Sequence, residues 1–266
     1  MSDPASEKLI PAATILLLRD GPQGLEVFMV VRHHQIDFAS GALVFPGGKV
    51  DPRDTHEVVR GRVDGAEGLD DWEFAMRVAA IREAYEECGV LLARDEGTGT
   101  LIDAKRLAAL EPRRDALNRN EIGIGDMLMQ EGLRLAADLL TPFAHWITPN
   151  MMPKRFDTRF YLAVAPEDHL AVHDGSESVD SVWIRPTDAV REAEEGKRTI
   201  IFPTRVNVQK LGRHVDVAGA IDTARNAHIV TVEPRVTKND AGEPILRIPV
   251  EAGYDVTEEP LSRVKA

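Results

Sequence analysis

The chain has 266 residues, 43% of them apolar and 29% charged, with 44 acidic residues against 32 basic ones and a formal net charge of −12. That length and apolar content suffice for a buried core and exclude global disorder, while the acidic balance argues against a protein that grips nucleic acid by neutralising phosphates. The lone cysteine, Cys88, closes no internal disulfide, so the fold does not depend on an oxidising compartment, and it reads as a small buried helix residue.

In chain order, Ala12–Arg19 and Leu25–Arg32 are apolar runs joined by Asp20–Gly24, whose glycines and proline mark a hairpin turn. The run Ala12–Leu18 is too short for a membrane span and has no basic leader, and Val264–Ala266 carries no address motif. No membrane partner is expected, and the cytoplasm is the expected compartment. A third strand, Ala42–Phe45, stops at a turn at Pro46–Gly48, where glycine permits close approach of backbone to a ligand. Residues 51–68 are charged and without period and read as a loop. Asp71–Leu92 shows helical period, as do Asp103–Leu110 and Asp126–Leu140. An irregular stretch between Pro142 and Pro149 precedes strands at Arg159–Val164 and Ser181–Ile184. A helix over Pro186–Glu195 and one or two more over 203–227 follow, with a closing hairpin formed by His228–Val236 and Ile245–Val250. No repeat or linker divides the chain, so one α+β domain with a mixed sheet covered on both faces is expected.

The chemistry lies in Arg82–Val90, REAYEECGV. Glu83, Glu86 and Glu87 fall within one sector of the helix, while Val78, Ile81, Tyr85 and Cys88 fall on the other side. The apolar stripe implies packing on a core, which turns the glutamate ridge outward. Three like charges at that spacing repel, and Arg82, four residues before Glu86, cannot neutralise them all. A hard divalent cation suits such carboxylates, and Mg2+ commonly combines one or two of them with substrate phosphates. Between Ala66 and Glu96 there are nine acids and three bases, so half of the excess negative charge gathers around this segment.

Arg82–Val90 resembles the second half of the Nudix box, G-x5-E-x7-R-E-U-x-E-E-x-G-U with U aliphatic, and Gly48–Asp54 resembles the first half, with Asp54 in place of the family's Glu and Ala84 a weak stand-in for an aliphatic residue. The departure is the spacer: 27 residues separate Asp54 from Arg82 where the family has seven. That long insertion, together with Trp146–Pro149, Arg155–Tyr161 and Trp183 followed by Pro186, is similar to the branch containing acyl-coenzyme A diphosphatases. The fuller coenzyme A signature upstream of the glycine turn is missing from Arg32–Ser40.

The resemblance implies an α/β/α sandwich with insertions at about 55–74 and 103–140 and a C-terminal extension at about 197–266. It implies that Gly48, Glu83, Glu86 and Glu87 hold Mg2+, with Mn2+ as a substitute, that Arg82 orients them, and that Gly47 and Gly48 meet the substrate; Arg32, at the end of the second strand, reads either as a contact to a substrate phosphate or as an exposed strand-end arginine. The implied reaction is hydrolysis of a diphosphate linkage in a nucleoside diphosphate derivative, coenzyme A or acyl-coenzyme A first among them, by metal-activated water. The base is Glu83 or a later acid, for which Glu177 is the candidate. Asp157 is expected either to pair with Arg155 or Arg159 or to act at the site; Phe156, Phe160 and Trp146 read as core, and His33 and His34 as surface residues. Residues 103–140 read as a substrate lid or a dimer surface, which leaves homodimerisation open. ADP-ribose, dinucleotides and nucleotide sugars are alternative substrates, and a nucleotide-binding module without catalysis is the rival class, disfavoured because all three glutamates are kept.

Overall fold

The computed structural model describes residues 9–32, 41–169 and 178–264. Strands β1 (Ile10–Gly21) and β2 (Gly24–Arg32) form the expected hairpin, closed where Gly21 faces Gly24. Two short strands follow: β3 (Leu43–Val44) pairs with β2, and β4 (Gly47–Lys49) lies antiparallel to β1 with Gly48 opposite Ala13. The segment expected as a loop is partly ordered, holding a 3-10 turn at Pro52–Thr55, α1 (Glu57–Arg60) and β5 (Val63–Asp64). Its order is local in origin: the Asp51 carboxylate accepts the Arg53 N–H, and Pro52 presets the first turn.

Helix α2 (Asp71–Cys88) starts where Asp70 caps the Glu73 N–H and stops at Gly89, whose φ of +67° is the left-handed conformation that ends helices. It therefore ends short of the expected Leu92, and Val90, Leu91 and Leu92 enter the core as extended chain leading to β6 (Ala93–Asp95). Helices α3 (Ala104–Ala109), α4 (Glu111–Asn118) and α5 (Ile124–Glu131) come next. The expected helix Asp126–Leu140 breaks at Gly132, φ +61°, and Leu133–Ala136 becomes β7 between β5 and β6.

The stretch expected to be irregular is strand β8 (Thr141–Ile147), and Pro142 sits at a shift in register, where its missing N–H costs the ladder least. Strands β9 (Phe156–Val164) and β10 (Ser178–Ile184) begin earlier than expected. Helices α6 (Pro186–Glu194), α7 (Phe202–Leu211) and α8 (Val217–Asn226) follow, then β11 (Thr231–Val232), β12 (Arg235–Lys238), β13 (Pro244–Arg247) and β14 (Glu258–Pro260). The closing hairpin is β12–β13, with β14 added at its edge. Residues 231–232 leave it and extend the main sheet alongside β8.

Among the described residues the main sheet runs β10–β2–β1–β9–β8–β11, with β3 on β2 and β4 on β1. The β1–β9 and β8–β11 pairs are parallel and the others antiparallel, which makes the sheet mixed. Alternation along β1 sends Ala13, Ile15 and Leu17 into a core shared with α2, α4 and α5. Leu16 and Leu18 enter a second core with α7 and α8, so helices cover both faces, as an α/β/α sandwich requires. No described helix is long and apolar enough to cross a membrane.

Candidate active site

Packing of α2 beneath the sheet brings its last two turns up to β4 and the 3-10 turn. Arg82 is 7% exposed and Asp54 fully buried, and the two meet through Nε to Oδ1 at 2.8 Å and Nη2 to Oδ2 at 3.1 Å. The same Nη2 donates to the Lys49 carbonyl at 2.8 Å, while Nη1 donates to Glu83 Oε1 at 2.8 Å and Glu86 Oε2 at 3.0 Å. All five N–H groups of the guanidinium are thereby used, which only arginine could do from one position. The 27-residue spacer, which holds α1, β5 and the start of α2, thus separates in sequence two groups in direct contact, and Asp54 stands as Arg82's anchor. Its carboxylate also accepts the Asp51 N–H at 2.8 Å.

The glycine turn meets the third glutamate, Glu87, and Glu83 as well. Gly47 donates its N–H to Glu87 Oε2 at 3.0 Å, and a side chain there would lie 2.4 Å from the Ala13 carbonyl. At Gly48 a Cβ would stand 2.5 Å from the Glu83 carboxyl group, so glycine is what lets carboxylate and backbone meet. Behind the helix, Arg114 and Asn118 of α4 donate to the Glu86 carbonyl at 3.1 and 3.4 Å, and Tyr85 Oη donates to the Leu110 carbonyl at 2.7 Å. Part of the segment read as a lid or dimer surface is thus a brace on the end of α2. Arg114 and Asn118 went unrecognised because nothing local to residues 110–118 shows which helix they pack on.

The electrostatics follow from burial and crowding. Burial draws the Arg82 guanidinium toward its neutral form, but the charges of Glu83 and Asp54 outweigh that and hold its pKa above the usual value. Asp54 and Glu86 are both raised, by burial first and against the pull of Arg82. Asp51 is lowered to about 2, chiefly by its hydrogen bond from Arg53. One guanidinium thus serves several carboxylates, and the cluster is short of positive charge. Among the described residues no three His, Cys, Asp or Glu side chains converge as a ready metal-ligand set; Glu83 and Glu86 instead turn toward Arg82 and Glu87 toward Gly47.

These groups border a cleft of roughly 1040 Å³. Gly47, Gly48, Arg82, Glu83 and Glu86 line it, as do Trp146 and Phe160, which belong to the second core as expected, and the half-buried Phe156. Asp157 pairs with neither expected arginine: its Oδ1 meets His145 Nε2 at 2.6 Å, while Arg155 binds Glu233 at 2.6 Å. Alternation along β9 explains this, since it places Asp157 opposite β8 on the face away from the cleft. Arg32 ends β2 opposite Ser178; its side chain, with His33, His34 and Glu177, lies outside the described residues.

A family model described as the NUDT19 Nudix domain matches residues 59–211. The chain is 30% identical over 190 residues to a Caenorhabditis elegans protein provisionally named nudix hydrolase 7, covering 71% of this chain and 57% of the relative. It is 24% identical over 225 residues to the Xenopus laevis acyl-coenzyme A diphosphatase NUDT19, covering 70% of this chain and 59% of that one. It therefore spans less than two thirds of either curated relative. A crystal structure of a NUDIX hydrolase from Alicyclobacillus acidocaldarius superposes with a TM-score of 0.69 at 31% identity, over 84% of this chain and 100% of that one. A family-model match over more than half of the chain, together with this structural likeness, places this protein in the Nudix hydrolase family.

Proposed function

We propose that this protein hydrolyses the diphosphate linkage of a nucleoside diphosphate derivative, coenzyme A or an acyl-coenzyme A first among them, with Mg2+ as cofactor and Mn2+ as a substitute. The observation that carries the reading is the glycine turn lying against Glu83 and Glu87 while a buried Asp54–Arg82 pair holds Glu83 and Glu86 at the edge of a cleft. The donor set fits a hard divalent cation, because it consists of carboxylate oxygens beside backbone, carries more negative charge than one arginine offsets, and leaves room at Gly48 where a Cβ would intrude. Glu83, Glu86, Glu87 and the Gly48 carbonyl would hold the ion, which when bound supplies Lewis-acid polarisation of a phosphoryl oxygen and activation of water.

The protein's own residues do the rest. Arg82 fixes the rotamers of Glu83 and Glu86, and Asp54 fixes Arg82. Gly47 holds Glu87 and, with Gly48, presents backbone to the substrate. Glu83, packed on Gly48, is the candidate base, with Glu177 the alternative. The name of the Xenopus relative supports an acyl-coenzyme A substrate.

The test is to incubate the protein with Mg2+ and coenzyme A, acyl-coenzyme A, ADP-ribose and dinucleotides and to identify products by mass. Release of 3′,5′-ADP from the coenzyme A species is the expected result. AMP from ADP-ribose alone would overturn the substrate assignment, and tight binding of nucleotides without any cleavage would leave a binding module in its place.

A further inference from the structure

The cleft is lined by more than the carboxylates, and part of its wall comes from the C-terminal region, to which the sequence assigned no role. Ile201, Phe202, Pro203 and Thr204, at the first turn of α7, together with Leu246 of β13 and Val264, line the same cleft as Gly48 and Glu86. Five of these six side chains are apolar. A nucleobase is recognised by paired polar edges as well as by a stacking face, and this wall offers a single hydroxyl. Trp146 meets Phe202 edge-on at 6.2 Å and Tyr254 edge-on at 5.6 Å, so these rings pack on one another rather than face to face across a stacking slot.

The wall is also held rigidly. Trp146 Nε1 donates to Tyr254 Oη at 2.9 Å, Tyr254 Oη donates to Asn207 Oδ1 at 2.8 Å, and Asn207 Nδ2 donates to the Pro203 carbonyl at 2.9 Å. Trp146, Asn207 and Tyr254 are buried, and their hydrogen bonds tie the sheet floor to the first turn of α7. A buried, hydrogen-bonded polar chain favours one arrangement, so the first turn of α7 is set before any ligand arrives and a ligand need not order it. A cleft of roughly 1040 Å³ is at the upper end for small-molecule sites and larger than a diphosphate needs.

From the continuity of this wall with the carboxylate site, its composition and its preorganisation, we infer that the first turn of α7, Leu246 and Val264 form a subsite for an apolar chain carried by the diphosphate substrate away from the cleaved linkage. The inference rests on the proposed hydrolase activity and adds to it a location and a chemical preference. It assigns the C-terminal region to substrate selection rather than to the cleavage step.

The test compares kcat/KM for octanoyl-coenzyme A and free coenzyme A, with Mg2+, in the wild type and in the Ile201→Asn/Val264→Asn double variant. Both substituted positions are half-buried, so the fold should tolerate them, and the Val264→Asn single variant with its thermal midpoint serves as a check on folding. The wild type is expected to prefer the octanoyl substrate, and the double variant to lose roughly tenfold of that preference. Equal kcat/KM for the two substrates in the wild type, or a preference untouched in folded variants, would overturn the subsite while leaving the hydrolase reading intact. Failure to cleave any coenzyme A species would overturn the coenzyme A assignment and the subsite with it, and failure on ADP-ribose and dinucleotides as well would overturn the hydrolase reading.

Discussion

On one side of the cleft a single guanidinium, Arg82, spends all five N–H groups on Asp54, Glu83, Glu86 and the Lys49 carbonyl. On the other, apolar side chains are held in place by neutral hydrogen bonds running from Trp146 through Tyr254 to Asn207. The first side is charged, crowded and short of positive charge; the second is neutral and internally satisfied. The difference shows that a cleft can be preorganised by two separate means, charge anchored on charge on the side proposed for phosphates and a buried neutral chain on the side inferred for hydrocarbon. The two should therefore respond differently to mutation and to pH.

The largest effect is expected on the charged side. Glu86→Gln keeps an acceptor for Arg82 but removes a carboxylate charge, and should lower metal-dependent turnover by roughly a hundredfold or more while leaving the unfolding midpoint close to that of the wild type. Near-normal turnover in that variant would detach the glutamates from the chemistry. Asp54→Ala strikes the anchor itself. It strands a buried guanidinium and should cost about 3–5 kcal/mol in urea unfolding, with activity lost as Arg82 releases Glu83 and Glu86; a loss of under about 1 kcal/mol would show that Lys49 and the glutamates hold Arg82 unaided.

The neutral side should yield less. Tyr254→Phe leaves the Trp146 indole N–H and the Asn207 carbonyl oxygen without their partner, and should cost about 1–3 kcal/mol by the same measurement. Its effect on coenzyme A turnover should be far smaller than that of Glu86→Gln, and comparable losses would erase the contrast between the two sides.

The smallest effect lies outside both walls. His145, bonded to Asp157 and to Thr231 Oγ1, has its pKa lowered below 6.5 by burial, against the opposing pull of Asp157 and with Arg159 and Glu73 also near. Because the folded protein resists protonation there, the histidine's contribution to stability is complete above pH 6.5 and falls as the pH drops below that value toward the folded pKa. His145→Gln should flatten the stability profile in that window without altering it above; an unchanged slope would assign it to other groups.

What could be read from the chain without its fold follows from the range of the interactions. The Arg82–Gly89 helix segment, its buried stripe, the Gly47–Gly48 turn and the first hairpin all rest on contacts between near neighbours in sequence, or on residue types that only one geometry accommodates. The break at Gly132 was visible as a glycine, but an apolar Leu-x-Leu after it fits a helix and a strand equally, and only β5 and β6 on either side decided for the strand. Neighbouring charges alone leave Asp157 between an arginine partner and the site, whereas the pleat directs it to His145 on β8.

By itself, then, the sequence determined the acidic helix face, the glycine turn beside it and the family to which they belong, because periodicity and backbone permissiveness are local properties. The tertiary structure alone decided that Asp54 reaches across a 27-residue spacer to anchor Arg82, that Arg114 braces the end of α2, and that residues beyond 200 line the cleft. Those contacts join segments far apart in the chain, and they form only once burial in two cores on opposite faces of one sheet has fixed where each segment lies.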